Sequence, residues 1–209
     1  MIGKFISIEG IEGAGKSTQL SFIKDFLEQQ GKTVLVTREP GGTRLGEQIR
    51  ELLLTPRDGG MSHDAELLLM FAARAEHIDQ VITPALDRGE WVLCDRFVDA
   101  TFAYQGGGRG IARDRIQAIS DWTLKGLQTD LTFLFDLPVE QGQARVVKRQ
   151  QQKDRFEQER ADFFQKIRDC YLSRAKSEPH RIKVIDSSRD IAAIQAQLST
   201  ILLALLNDD

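Results

Sequence analysis

The sequence predicts an α/β fold: a five-stranded parallel sheet flanked by helices. Two observations carry this. Short, mostly apolar, β-branched runs alternate with long amphipathic stretches, and a glycine-rich turn lies where the first run gives way to the first amphipathic stretch. The candidate strands are Phe5–Ile8, Thr33–Val36, Trp91–Cys94, Leu131–Phe135 and Ile182–Ile185. Each is short and apolar, as strands covered on both faces are. Helical periodicity falls at about Ser17–Gln30, Leu45–Leu54, Asp64–Arg88, Arg113–Leu127, Val139–Gln150, Arg155–Ser177 and Ile191–Leu206.

The first strand and helix enclose Gly10-Ile11-Glu12-Gly13-Ala14-Gly15-Lys16-Ser17, a match to G-x-x-x-x-G-K-[ST] at every fixed position. In that context backbone N–H groups converge on a polyphosphate, Lys16 reaches its outer phosphates, and the Ser17 hydroxyl helps hold a Mg²⁺. A polyphosphate is therefore the expected ligand of residues 10–17, with Thr18 adjoining.

Composition bounds the alternatives. A chain of 209 residues with 41% hydrophobic residues and no linker-like stretch reads as one domain, 1–209. A net charge of −3 argues against a duplex-binding surface, so no nucleic-acid partner is expected. Cys94 and Cys170 lie far apart without metal-ligand spacing and read as small hydrophobes in a reducing compartment. No apolar run approaches the ~20 residues of a membrane span, and the N-terminus lacks a secretory progression. The expectation is a cytoplasmic protein with no membrane partner.

Ligands in open α/β sheets bind beyond the carboxyl ends of the strands. After the second strand comes Thr37-Arg38-Glu39-Pro40-Gly41-Gly42-Thr43, a rigid turn with flexible glycines, whose Glu39-Pro40 bond is a candidate cis peptide. After the third stand Asp95 and Arg96, an acid for a metal or substrate hydrogen bond and a guanidinium fork for phosphate, or alternatively a plain strand-end ion pair. Arg50 on the following helix is either a ligand contact or a solvated cation. On the next helix Phe71 and Arg74 offer a flat apolar surface and a planar donor to a nucleobase, although a lone helical aromatic equally suits the core. His77, one turn on, reads as a surface or capped residue rather than a catalyst. The segment Tyr104-Gln105-Gly106-Gly107-Gly108-Arg109-Gly110 combines close backbone approach with a side-chain amide able to donate and accept, as a pyrimidine edge requires. Between Arg145 and Arg160 lie six cations in sixteen residues, interrupted by Asp154, Glu157 and Glu159. They form either a solvated helix face or a lid, with Gln150-Gln151-Gln152 as hinge.

Taken together these motifs resemble the bacterial thymidylate kinases, nucleoside-monophosphate kinases of the P-loop NTPase class. The markers are the phosphate loop, Thr37–Thr43, Phe71-Ala72-Ala73-Arg74, Asp95-Arg96-Phe97 and Ala103–Gly110, and the likeness runs through essentially the whole chain. The resemblance implies a three-layer P-loop NTPase fold with a small helical lid at about 145–160. The implied reaction is phosphorylation of dTMP to dTDP by ATP and Mg²⁺ in dTTP synthesis, by a homodimer. It implies catalytic roles for Lys16, Asp95, Arg96 and Arg155, and metal binding by Ser17 and Asp95. It implies dTMP contacts from Glu12, Glu39, Pro40, Arg50, Phe71, Arg74, Arg96, Thr101 and Gln105, with Gln105 reading the thymine edge. Gly13 fits the bacterial branch, which draws basic residues from the lid: Arg155 for the transition state, with Arg149 and Lys153 in reserve. In several relatives the aromatic lies four residues before the binding arginine; here that position is Met70, and the expectation is that Phe71 stacks on the base. The competing readings are a kinase for another small acceptor and a nucleotide-dependent switch. The lack of an N-K-x-D sequence weighs against a GTPase-type switch.

Overall fold

The computed structural model describes residues 3–148 and 154–207. Five parallel strands run in the order β2-β3-β1-β4-β5, with β1 Phe5–Glu9, β2 Val34–Arg38, β3 Trp91–Asp95, β4 Leu131–Asp136 and β5 Ile182–Asp186. The three central strands are buried almost throughout, which is why their sequences are near-continuous apolar runs. Side chains such as Ile6, Ile8, Leu93, Phe133 and Phe135 are essentially inaccessible. Each contributes about 1.5–3 kcal/mol by leaving water.

The helices are α1 Lys16–Gln29, α2 Arg44–Leu54, α3 His63–His77, α4 Thr83–Asp87, α5 Val98–Thr101, α6 Arg113–Leu124, α7 Val139–Val147, α8 Ala161–Ser177 and α9 Ile191–Asn207. Thr43 and Ser62 cap α2 and α3 by accepting from Gly46 N and Ala65 N. Between β1 and its neighbour β3 the topology changes direction. β1 leads through α1 to β2 on one side, and β3 leads on to β4 on the other. A crevice at the carboxyl ends of β1 and β3 is therefore the expected ligand position.

Three expectations about elements need correction, and one further segment takes a form the sequence leaves open. The span 64–88 is not one α-helix: a π-helical turn, Ile78–Ile82, separates α3 from α4. Pro84 supplies no N–H for the regular ladder at the start of α4, and the wider turn before it absorbs the mismatch. The glycine-rich segment, to which the sequence assigns no element, is helical: Phe102–Gly108 forms a π-helical continuation of α5. Its glycines serve packing on α8: a Cβ on Gly107 would lie 2.8 Å from Lys166 O, and one on Gly108 would lie 2.5 Å from the Phe163 ring. Helix α6 stops at Leu124, because Lys125 and Gly126 both take positive φ. Helix α8 starts at Ala161 rather than Arg155; ahead of it Asp154 Oδ1 accepts from Phe156 N and Glu157 N, closing a tight turn. Arg149, Lys153 and the glutamine hinge fall outside the described residues.

Candidate active site

One cavity of about 210 Å³ occupies the crevice. At its first end β1 turns into the phosphate loop. Gly13 has φ 78° and its Cα is so close to α7 that a Cβ would meet the Gly142 carbonyl at 2.3 Å, so only glycine fits. Gly15 caps α1 in the left-handed conformation, with no side-chain cap hydrogen bond among the described residues, which leaves backbone donors for phosphate oxygens. Lys16 folds over its own loop, its Nζ donating to Gly10 O and Ile11 O at 2.9 Å each. Burial, and next the Arg96 charge, pull its pKa down to about 8.

Asp95 lies beside β1, in register with Ile8, and lines the cavity together with Ser17. Its Oδ1 is buried with no hydrogen-bond partner among the described residues. A buried bare carboxylate oxygen on the same cavity as a hydroxyl suits a hard, oxygen-seeking cation. No cluster of three or more His, Cys, Asp or Glu able to hold a metal occurs among the described residues, so the rest of such a cation's shell has to come from water and phosphate. Arg96 has φ 72° and donates its backbone N–H to Ile8 O. This turn brings its guanidinium to Glu12 (Nη2 to Oε1, 2.8 Å) and to 4.8 Å from the centre of the Tyr104 ring. The Tyr104 hydroxyl donates to both Glu12 oxygens, while Arg96 Nη1 is buried without a partner among the described residues.

At the other end α3 presents Glu66, Met70, Arg74 and His77, spaced four, four and three residues apart and thus on one face. Arg74 Nε donates to Glu39 Oε2 at 2.7 Å, Nη1 to Thr101 Oγ1 at 3.0 Å and Nη2 to Phe97 O at 3.2 Å. His77 Nδ1 donates to the other Glu39 oxygen at 3.0 Å, and its Nε2 meets Thr37 Oγ1 at 2.7 Å. The Glu39-Pro40 peptide is cis, and Arg50 Nη1 donates to Pro40 O at 2.9 Å. Burial, and next Arg38, lower the Arg50 pKa.

Phe71 is not part of the cavity wall, contrary to expectation. It is 3% exposed and packs in the core, with the Arg74 guanidinium 5.0 Å from its ring centre. Its helical phase matches Leu67, on the core side, whereas Met70 is in phase with Arg74 and lines the cavity. Arg155 also departs from expectation. It bonds Leu53 O through Nε (2.7 Å) and Glu66 Oε2 through Nη1 (2.6 Å), so it faces α2 and α3 rather than the phosphate loop. The fully buried Glu66 carboxylate draws in whatever cations are in reach, and Arg155 is one of them. From the same segment Asp154, Phe156 and Glu157 line the cavity.

The remaining predicted residues divide by position. Glu12, Gly13, Ala14, Gly15, Lys16, Ser17, Glu39, Pro40, Arg50, Arg74, Asp95, Arg96, Thr101 and Gln105 come together on one cavity. Gly10 and Ile11 are buried behind it and Thr18 is exposed on α1. Sequence reasoning missed Glu66 and Tyr104 and discounted His77; the polar stripe on α3 was the available signal for two of these. It also missed Glu9, fully buried at the end of β1, where it accepts from Phe97 N and from the Tyr171 hydroxyl at 2.7 Å each. Burial, and next Asp99, push its pKa up to about 8.

Comparison with known proteins identifies the family. The family model described as Thymidylate kinase matches residues 8–198. A thymidylate kinase of Pseudomonas syringae pv. tomato is 56% identical over 206 residues, covering 99% of this chain and 98% of that protein. One from Alcanivorax borkumensis is 54% identical over 201 residues, 96% of each. Among solved structures, the thymidylate kinase of Ehrlichia chaffeensis superposes with a TM-score of 0.77 at 32% identity, covering 97% of this chain and 99% of that one. With a family model spanning most of its length and full-length relatives above half identity, the chain belongs to the thymidylate kinase family.

Proposed function

We propose that this chain, acting as one domain, transfers the γ-phosphoryl group of ATP to dTMP to give dTDP for dTTP synthesis. The observation that carries the reading is the continuity of the cavity from Lys16 and Ser17, past Asp95 and Arg96, to Arg74 and Gln105. That order matches the order of groups in a phosphate donor, an acceptor phosphate and a base. The backbone donors of residues 13–16 take the β- and γ-phosphates, and Lys16 exchanges its two loop carbonyls for phosphate oxygens. Ser17 and Asp95 are the residues that would hold Mg²⁺, which when bound would neutralise charge on the donor phosphates.

Arg96, anchored by Glu12, turns its free Nη1 to the acceptor phosphate and sets it in line with the γ-phosphorus. The acceptor is already ionised, so catalysis rests on positioning and charge stabilisation with no covalent enzyme intermediate. Arg50 reaches the nucleotide from α2, Met70 supplies the apolar surface against thymine, and Arg74 and Thr101 fix its far edge with Gln105. The segment at about 145–160 acts as the lid, with Asp154, Phe156 and Glu157 as its contribution to the cavity. The functional unit is a homodimer in the cytoplasm. Trp122, 80% exposed on α6, and Leu68, 56% exposed on neighbouring α3, are large apolar side chains that an interface would bury. Among the described residues no helix is long and apolar enough to cross a membrane.

The test is ADP release with ATP and Mg²⁺ against dTMP, dUMP, UMP, dCMP, dAMP and thymidine. Release that depends on dTMP, with a weaker response to dUMP, supports the reading. Equal release without acceptor would instead indicate a hydrolytic switch, and the base-pocket roles would be withdrawn.

A further inference from the structure

Glu66 is fully buried on α3, and four donors converge on it: Gln105 Nε2 at 2.9 Å, Arg109 Nε and Nη2 at 3.2 Å each, and Arg155 Nη1 at 2.6 Å. Burial alone would raise its pKa, but the bonds from Gln105 and Arg109 outweigh it and hold the carboxyl below its ordinary value. Glu66 is therefore an obligate acceptor throughout the neutral range.

A glutamine amide has two faces that differ only in which end carries the oxygen. Against a buried carboxylate one choice is open: the nitrogen turns to Glu66, since a flip would set two acceptor oxygens against each other where both side chains are buried. Gln105 lines the cavity wall, so the arrangement leaves its carbonyl oxygen and its second N–H for a base. That pair complements an imide edge, with one N–H donor beside a carbonyl, as in thymine or uracil. Cytosine offers the opposite pattern at the same atoms, a ring nitrogen acceptor beside an amino donor.

We propose that Glu66 is a positioning residue that locks the orientation of the Gln105 amide and thereby makes the site select thymine over cytosine. The inference rests on dTMP being the acceptor. It assigns selectivity to a carboxylate that touches no substrate, and it makes the lid segment, through Arg155, a partner in holding the reading group.

The decisive measurement is the ratio of kcat/KM for dTMP to that for dCMP in the unsubstituted protein, Glu66→Gln and Arg109→Met. An amide at 66 accepts or donates equally well, so Gln105 is free to present either face, and the ratio falls about tenfold or more, chiefly through better use of dCMP. Arg109→Met disturbs the same cluster but spares the Gln105 bond, and its ratio stays within about twofold of the unsubstituted value. A general loosening of the pocket would lower both substrates together and shift both variants alike; that result, or an unchanged ratio in Glu66→Gln, overturns the proposal. A dTMP preference missing from the unsubstituted protein would refute the acceptor reading itself, a separate outcome. If Glu66→Gln does not fold, ¹⁵N NMR of the unsubstituted protein serves instead. The Gln105 side-chain NH₂ should exchange with solvent far more slowly than exposed glutamines, and exchange as fast as theirs overturns the assignment.

Discussion

At one end of the cavity Glu39 is buried in ion pairs with Arg74 and His77, and Glu66 in pairs with Arg109 and Arg155, whereas Lys16, Asp95 and Arg96 at the other end keep buried capacity in reserve. Lys16 bonds only neutral carbonyls and has a depressed pKa, while Asp95 Oδ1 and Arg96 Nη1 have no protein partner among the described residues. The contrast separates two kinds of preparation. The base end fixes its shape by pairing most of its charged groups with one another, leaving Arg155 Nη2 and one edge of the Gln105 amide without a protein partner among the described residues. The phosphate end is electrostatically incomplete, and its cations and bare carboxylate are satisfied when phosphate charge arrives.

The largest expected effect tests the phosphate end. Lys16→Met should lower kcat by roughly three orders of magnitude or more, because charge developing on the transferred group loses its partner. Its melting temperature should not fall: the fold disfavours the charged lysine, a cost fully present below about pH 8, and methionine removes it. A marked drop in melting temperature would mean Lys16 is structural and the contrast drawn above is wrong.

Arg74→Met should behave in the opposite sense. It leaves Glu39 buried with His77 as its remaining partner and destabilises the fold by about 3–5 kcal/mol, read from the denaturant midpoint. Loss of dTMP affinity with unchanged stability would show that the base end, too, is held open for its ligand.

Arg155→Ala sharpens the boundary between the ends. Held on Glu66 and Leu53, Arg155 should matter to nucleotide positioning, raising KM for dTMP about tenfold with kcat within about threefold. The resemblance assigned it to the transition state, and a variant impaired in kcat alone would restore that role.

The smallest effect is a pH dependence. Free Lys16 titrates near pH 8, and bound phosphates favour its charged form. ATP affinity should therefore decline as pH rises above about 8, with a proton taken up on binding in that range, measurable by calorimetry in buffers of different ionisation enthalpy. Lys16→Met should lose this dependence.

The strands were readable because burial on both faces leaves an unbroken apolar run, and the phosphate loop because its glycines, Lys16 and Ser17 are fixed by local geometry. Edge strand β2, partly exposed, was placed one residue early and closed two early. What stayed hidden depends on contacts between distant segments. Nothing near Arg155 in the chain announces that Glu66, 89 positions earlier, claims it. The helical form of Phe102–Gly108 depends on α8 filling the space above its glycines, and glycine-rich composition by itself points to a loop. The choice between Met70 and Phe71 was open to helical phase, since Leu67 and Phe71 share the core side while Glu66, Met70 and Arg74 share the other.

The seating of Gly107 and Gly108 against α8 has a mechanical corollary. The turn that carries Gln105 is pressed so closely to that helix that a methyl group at Gly107 would have to push aside a backbone carbonyl rather than swing a flexible side chain. The chain entering α8 is the segment of Asp154, Phe156 and Glu157 that borders the cavity. The recognition turn and the cover over the nucleotide are thus mounted on a single rod with almost no play between them. Tilting that rod by a fraction of an ångström displaces both together, so a methyl placed where no ligand ever reaches would blur which base is accepted and how firmly the cover shuts.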